Sequence, residues 1–114
     1  MIDLCVVNYN TRPLLQRLLN TVHSDYVDNV WNLHLADNGS SDDSVEWMDK
    51  MSSSYSLKSY IKNDNIGYSA ACNQLATMGN GDIVGLLNAD VWFTTQDMQK
   101  IQEIFDADAG VDIF

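Results

Sequence analysis

Apolar residues in this chain fall into short continuous runs that alternate with stretches of helical period. Ile2 to Val7 is apolar and β-branched without clean alternation, which suits a strand buried on both faces. Val30 to Ala36 is a second strand, with Val30, Trp31, Leu33 and Leu35 as its apolar content. Leu57 to Ile61 is a third and shorter one. Ile83 to Leu87 is a fourth, expected to be covered on both faces. Between the first two strands, Leu14, Leu15, Leu18, Leu19 and Val22 share one helical face. Asn10 or Thr11 can cap that helix, and Pro13 is tolerated in its first turn. A second helix carries Val45, Trp47, Met48 and Met51 behind a Ser/Asp cap, and a third runs from Ser69 through Leu75 to a stop at Gly79 and Gly81. A fourth, capped by Thr94 or Thr95, places Met98, Ile101, Ile104 and Phe105 together. Val111 to Phe114 reads as the opening of another strand.

This β-α alternation predicts an α/β fold, a mainly parallel sheet flanked by helices with right-handed crossovers. Such sheets bind ligands outside the carboxyl ends of their strands, at a topological switch point. Polar residues gather at those ends: Asn8-Tyr9-Asn10, Asp37-Asn38-Gly39, Asn63-Asp64-Asn65 and Asn88-Ala89-Asp90. Any one of them reads equally well as turn chemistry. Asn88 and Asp90 are two apart at the end of an extended segment, so they point to one side and can offer oxygens to a hard cation.

Composition narrows the function. A length of 114 residues makes a single domain, 1–114. The net charge of −10 argues against sequence-independent nucleic-acid binding, and a phosphate ligand would need a cation to bridge the repulsion. The apolar runs are far shorter than a membrane span and no basic leader opens the chain, so a cytoplasmic location is expected. Cys5 and Cys72 lack metal-type spacing and read as buried free thiols. No Gly-x-Gly-x-x-Gly follows the first strand, and there is no Walker A motif.

Four segments together carry a resemblance: Val-Val-Asn-Tyr-Asn (6–10), Ala-Asp-Asn-Gly-Ser-Ser-Asp (36–42), Asn-Ile-Gly-Tyr-Ser-Ala-Ala-Cys-Asn (65–73) and Gly-Asp-Ile-Val-Gly-Leu-Leu-Asn-Ala-Asp (81–90). In this order they resemble the N-terminal, nucleotide-sugar-binding half of the family 2 glycosyltransferases, which have the Rossmann-like GT-A fold. The third segment looks most like the branch containing rhamnosyltransferases. The resemblance implies that Asp37 accepts the N3–H of uracil or thymine, a contact cytosine cannot make. It implies that Asn8, Tyr9 and Asn10 bracket the base, with Tyr9 stacking on it. Asn65, Gly67 and Asn73 would line the ribose and diphosphate. Asp90 would hold Mn²⁺ or Mg²⁺, assisted by Asn88, which stands where the family usually has Asp and which can bind the nucleotide instead.

The expected function is therefore binding of a UDP- or dTDP-sugar with a divalent metal, for transfer to a hydroxyl acceptor. The alternative is a nucleotide-sugar-binding module without transfer activity. A nucleotidyltransferase is a third reading, weakened by the lack of a Gly-rich basic loop. The acceptor half of the family has no counterpart before Phe114, so no general base is expected within these residues. Apolar surface around Val91-Trp92-Phe93 is expected to favour a homo-oligomer.

Overall fold

A computed structural model describes residues 2–24, 31–55, 57–79, 83–91 and 95–107. Strand β1 is Ile2–Asn8, followed by helix α1, Arg12–Ser24. Strand β2 is Trp31–Asp37 and helix α2 is Ser44–Met51, which tightens into a 3₁₀ turn at Ser52–Tyr55. Then come β3, Ser59–Lys62; α3, Tyr68–Ala76; β4, Ile83–Asn88; and α4, Thr95–Ala107. The expected Val111–Phe114 strand, Val30, Trp92 and Phe93 lie outside the described residues.

The strands form one parallel sheet in the order β3-β2-β1-β4. The chain steps outward from β1 through β2 to β3, then returns to place β4 on the other side of β1. The switch point thus lies between β1 and β4. The register levels the strand ends: Asn8 is opposite Asp37, Asp37 opposite Lys62, and Val7 opposite Asn88.

Alternation along β1 divides the core in two. Ile2, Leu4 and Val6 meet Leu15, Leu18, Leu19 and Val22 of α1 and Met48 of α2, with Ile101 of α4 against the same cluster. Cys5 and Val7 on the other face meet Ala71, Cys72 and Leu75 of α3. The expected burial of β1 on both faces therefore holds. That of β4 does not: Ile83 and Leu87 are half-buried, while Val84 and Leu86 are 46% and 52% exposed. Those two residues pair with Asp3 and Cys5, on the face where α3 packs over β1 and β2 rather than β4.

Helix α3 also starts and stops differently from expectation. It opens at Tyr68, directly after Gly67 at φ +87°, so Ser69 lies inside the first turn and does not cap. It ends at Ala76, before Gly79. Gly79 answers a different need, because a Cβ there would come within 2.4 Å of the Asp3 carboxyl.

Asp3 anchors a buried polar seam at the amino end of the sheet. Its Oδ1 accepts from Asn32 Nδ2 at 3.2 Å and pairs with His34 Nε2 at 2.9 Å. His34 Nδ1 pairs with Ser59 Oγ at 2.9 Å. Three adjacent strands are thus joined by side chains as well as backbone. Burial, then the charge of Asp3 and the neighbouring Cys72, pushes the Cys5 thiol up to about 11. Both cysteines are free and buried, as the sequence suggests.

Two measurements follow from the core. Cys5 should resist Ellman's reagent at pH 8 in the folded protein and react on unfolding, because the thiolate is the reactive form; prompt native-state reaction at Cys5 contradicts the packing described. Replacing His34 with Leu should cost about 3–5 kcal/mol in urea unfolding, because Asp3 stays buried without its imidazole partner. Asp3→Val combined with His34→Leu should recover at least half of that loss; equal losses for the single and double variants overturn the account.

Candidate functional site

The first two strand ends are tied together by a compact polar network. Asn8 is fully buried, and its Nδ2 donates to Asp37 Oδ1 at 3.0 Å. Its Oδ1 accepts from Thr11 Oγ1 at 2.6 Å. Asp37, 1% exposed, also accepts from Ser40 Oγ at 2.7 Å and, through Oδ2, from Ser40 N at 2.9 Å. Hydrogen bonds to a buried carboxylate are worth about 1.5–3 kcal/mol each when the group is charged, so this network fixes the Asp37 side chain.

Asn10 performs a second clamp. It is the one non-glycine residue at positive φ, 53°, among the described residues, a conformation Asn tolerates better than most residues. Its Oδ1 accepts from Ser41 N at 2.7 Å and Asp42 N at 3.1 Å. Asp42 replies across the same gap, accepting from Arg12 N at 3.2 Å and Ser44 N at 2.9 Å. It therefore caps α1 and α2 together. Burial pushes the Asp42 carboxyl up, but hydrogen bonds from Ser44 and the Arg12 backbone, with the Arg12 charge, outweigh it and hold the group below its ordinary value. Asp43, at the N-cap of α2, makes no capping bond and pairs instead with Arg12 Nε at 3.2 Å.

A cavity of about 380 Å³ opens at the switch point. Tyr9, Asn65, Asn88 and Asp90, four of the residues singled out from sequence, line it. Asn8, Asn10, Asp37, Gly67 and Asn73 are not among its lining residues. Asn8 and Asp37 lie buried behind the wall, and Asn73 is exposed on α3. The cavity also takes in Thr11, Asn38 and Tyr68, which the sequence reading did not assign. Asn38 braces the far wall: its Nδ2 donates to Asn65 Oδ1 at 3.3 Å, and its Oδ1 accepts from Ile66 N at 3.2 Å. A signal for Tyr68 was present, an aromatic next to the glycine that precedes a helix at a strand's carboxyl end.

Tyr68 Oη donates to Asn88 Oδ1 at 3.0 Å, joining the start of α3 to the tip of β4. Burial, followed by a hydrogen bond and the charge of Cys72, pushes the Tyr68 phenol up. It therefore remains an O–H donor at neutral pH, although half of the residue is exposed. Arg17 Nη2 donates to the Asp90 carbonyl oxygen at 3.3 Å, bringing a positive charge to the same tip.

Among the described residues, no three His, Cys, Asp or Glu side chains gather to hold a metal ion by themselves. The Asp90 carboxylate, exposed in a cavity wide enough for a diphosphate, nevertheless fits the hard-cation pattern of one protein carboxylate plus substrate phosphates. A second hollow, at the amino end of the sheet, is lined in part by Asn32 and His34, which are both engaged with Asp3. Among the described residues no helix is long and apolar enough to cross a membrane.

Known proteins share this fold. Mannosyltransferase PcManGT from Pyrobaculum calidifontis, solved in complex with GDP-Man and Mn²⁺, superposes with a TM-score of 0.80 at 21% identity. That match covers 96% of this chain and 33% of the other. TarS 1-349 of S. aureus, solved in complex with UDP-GlcNAc, superposes with a TM-score of 0.77 at 18% identity, covering 93% of this chain and 31% of that one. These likenesses establish the GT-A fold. In sequence, the chain is 23% identical over 114 residues to abequosyltransferase RfbV of Salmonella typhimurium (strain LT2), covering 97% of this chain and 34% of the relative. The chain thus spans about a third of the length of the relatives it matches. The sequence profile described as glycosyl transferase family 2 matches residues 3–114, and the chain belongs to that family.

Proposed function

We propose that this domain forms the donor site of a glycosyltransferase, binding a UDP- or dTDP-sugar together with Mn²⁺ or Mg²⁺ for transfer of the sugar to a hydroxyl acceptor. The observation that carries this reading is the convergence of Tyr9, Asn65, Asn88 and Asp90 on one cavity at the β1/β4 switch point. The donors in the solved relatives, UDP-GlcNAc and GDP-Man, are nucleoside diphosphate sugars, and one of those complexes includes Mn²⁺. The Asn65–Asn73 segment supports a place in the branch that includes rhamnosyltransferases.

Tyr9 offers an exposed ring for the base to stack on. Asp37 supports a uracil or thymine ring, because a carboxylate accepts an imide N–H and repels the N3 lone pair of cytosine. Its Oδ1 is filled by Asn8 and Ser40, whereas its Oδ2 takes one backbone N–H and keeps acceptor capacity among the described residues. Asp37 is 1% exposed, so contact with a base would require the Ser40 segment to move aside. Gly67, just before α3, and Asn73, on it, would contact the ribose and diphosphate from outside the cavity lining. Asp90 would hold the cation, whose role when bound is to neutralise the diphosphate and the departing nucleotide. Arg17, anchored on the Asp90 carbonyl, adds a fixed positive charge to the same end. The exposed Val84 and Leu86 support self-association of the chain.

Calorimetric titration of UDP, dTDP, CDP and GDP, with Mn²⁺ and with chelator, tests the reading. UDP or dTDP should bind only with the metal, at least about tenfold tighter than CDP, a ratio that corresponds to one badly matched polar contact. Asp90→Ala should weaken binding at least about tenfold, in line with loss of a metal anchor. Equal binding of CDP overturns the base assignment to Asp37. No binding of any nucleoside diphosphate sinks the donor-site reading. Light scattering at high concentration checks self-association, and a monomer there removes that part.

A further inference from the structure

Asn88 lines the cavity two residues before Asp90, and its side-chain oxygen accepts a hydrogen bond from Tyr68. In a side-chain amide only the oxygen has lone pairs for a cation; the nitrogen offers two hydrogens and nothing else. The phenol takes one of those lone pairs and fixes the plane of the amide. One lone pair of Oδ1 and both hydrogens of Nδ2 remain, so the phenol biases the amide toward use as a donor. The surroundings agree. Asn88 lines the cavity beside Asp90, which carries the nearest carboxylate on the tip, and the Arg17 guanidinium sits on the Asp90 backbone oxygen. A lone carboxylate with an arginine close by is a weak site for a free divalent ion. It is adequate once phosphate oxygens supply more ligands.

Resting on the donor-site reading, we propose that Tyr68 is a positioning residue that turns Asn88 from a metal ligand into a hydrogen-bond donor to the diphosphate oxygens. The divalent cation is then captured on Asp90 only together with the nucleotide. Gly67 makes this possible. At φ +87° it turns the chain so that Tyr68 becomes the first residue of α3, level with the tip of β4.

Equilibrium dialysis with Mn²⁺ alone, then with Mn²⁺ and UDP, separates the two ligands. The wild-type chain should retain UDP with Mn²⁺ and little Mn²⁺ without it. Asn88→Asp, which restores a second carboxylate, should retain Mn²⁺ alone at least tenfold more tightly than wild type. Tyr68→Phe releases the Asn88 oxygen. It should raise retention of Mn²⁺ alone about threefold and lower retention of UDP by a similar factor. Opposite movement of the two ligands marks positioning; a merely structural loss would lower both. Both substituted side chains are exposed, and far-UV circular dichroism checks that the variants keep the fold. Tight wild-type binding of Mn²⁺ alone, or a Tyr68→Phe variant in which both ligands move the same way, overturns the proposal. The metal-only arm decides on Tyr68 even if no UDP is retained, a result that would count against the donor-site reading alone.

Discussion

The Asn8 side chain holds the working end of this sheet together. Its amide spans β1 and β2, giving a hydrogen to Asp37 and taking one from Thr11 at the mouth of α1. Burial makes the arrangement stringent, since a buried amide or carboxylate left without partners costs more than its hydrogen bonds contribute when made. The loops after β1 and β2 are therefore set relative to each other before any ligand arrives. Asn10 and Asp42 extend the lock to the starts of α1 and α2. Tyr9 stands between these two clamped residues, so the exposed ring that faces the cavity projects from fixed backbone.

The two ends of the sheet use buried polarity for different purposes. At the amino end, Asp3, Asn32, His34 and Ser59 satisfy one another across three strands, and Gly79 leaves room for the Asp3 carboxyl. Their hydrogen-bonding capacity is turned inward. At the carboxyl end the buried network stops short of the cavity, where Asn65, Asn88 and Asp90 are exposed on its wall. Both ends are rich in polar residues and both border a cavity, about 380 Å³ at the carboxyl end and 360 Å³ at the amino end, but at the amino end Asn32, His34 and Ser59 are tied to the Asp3 seam.

The sequence made the layer order and the strand ends legible because both depend on local signals. Runs of β-branched and aliphatic residues mark strands, and helical periodicity marks Leu15, Leu18, Leu19 and Val22 as the inner face of α1. Burial of β4 was misread because it depends on where α3 lands, and Ile-Val-Gly-Leu-Leu carries no record of that. The capping of α3 was misread for a related reason. Ser69 has the right chemistry, but the positive φ of Gly67 starts the helix one residue earlier. The roles of Asn8 and Asn10 are the subtler case. The family resemblance implies a place beside the base, and the three-dimensional register sets Asn8 against Asp37 and turns Asn10 toward the loop before α2. Neither lines the cavity.

The tip of β4 joins these themes. An Asp-x-Asp tip would place two carboxylates side by side in a chain whose net charge is already −10, and their repulsion would have to be met by a resident cation. Asn88 removes one of those charges, and Arg17 partly offsets the other. In the proposed donor site this tip would need no resident metal, at the cost of intrinsic metal affinity. The deficit would be recovered when a diphosphate brought its own negative oxygens to Asp90 and met the amide hydrogens of Asn88. Metal and nucleotide then depend on each other through linkage, since each raises the affinity for the other by the same factor. Tyr68 matters to that linkage because it decides which edge of the Asn88 amide faces the incoming phosphate.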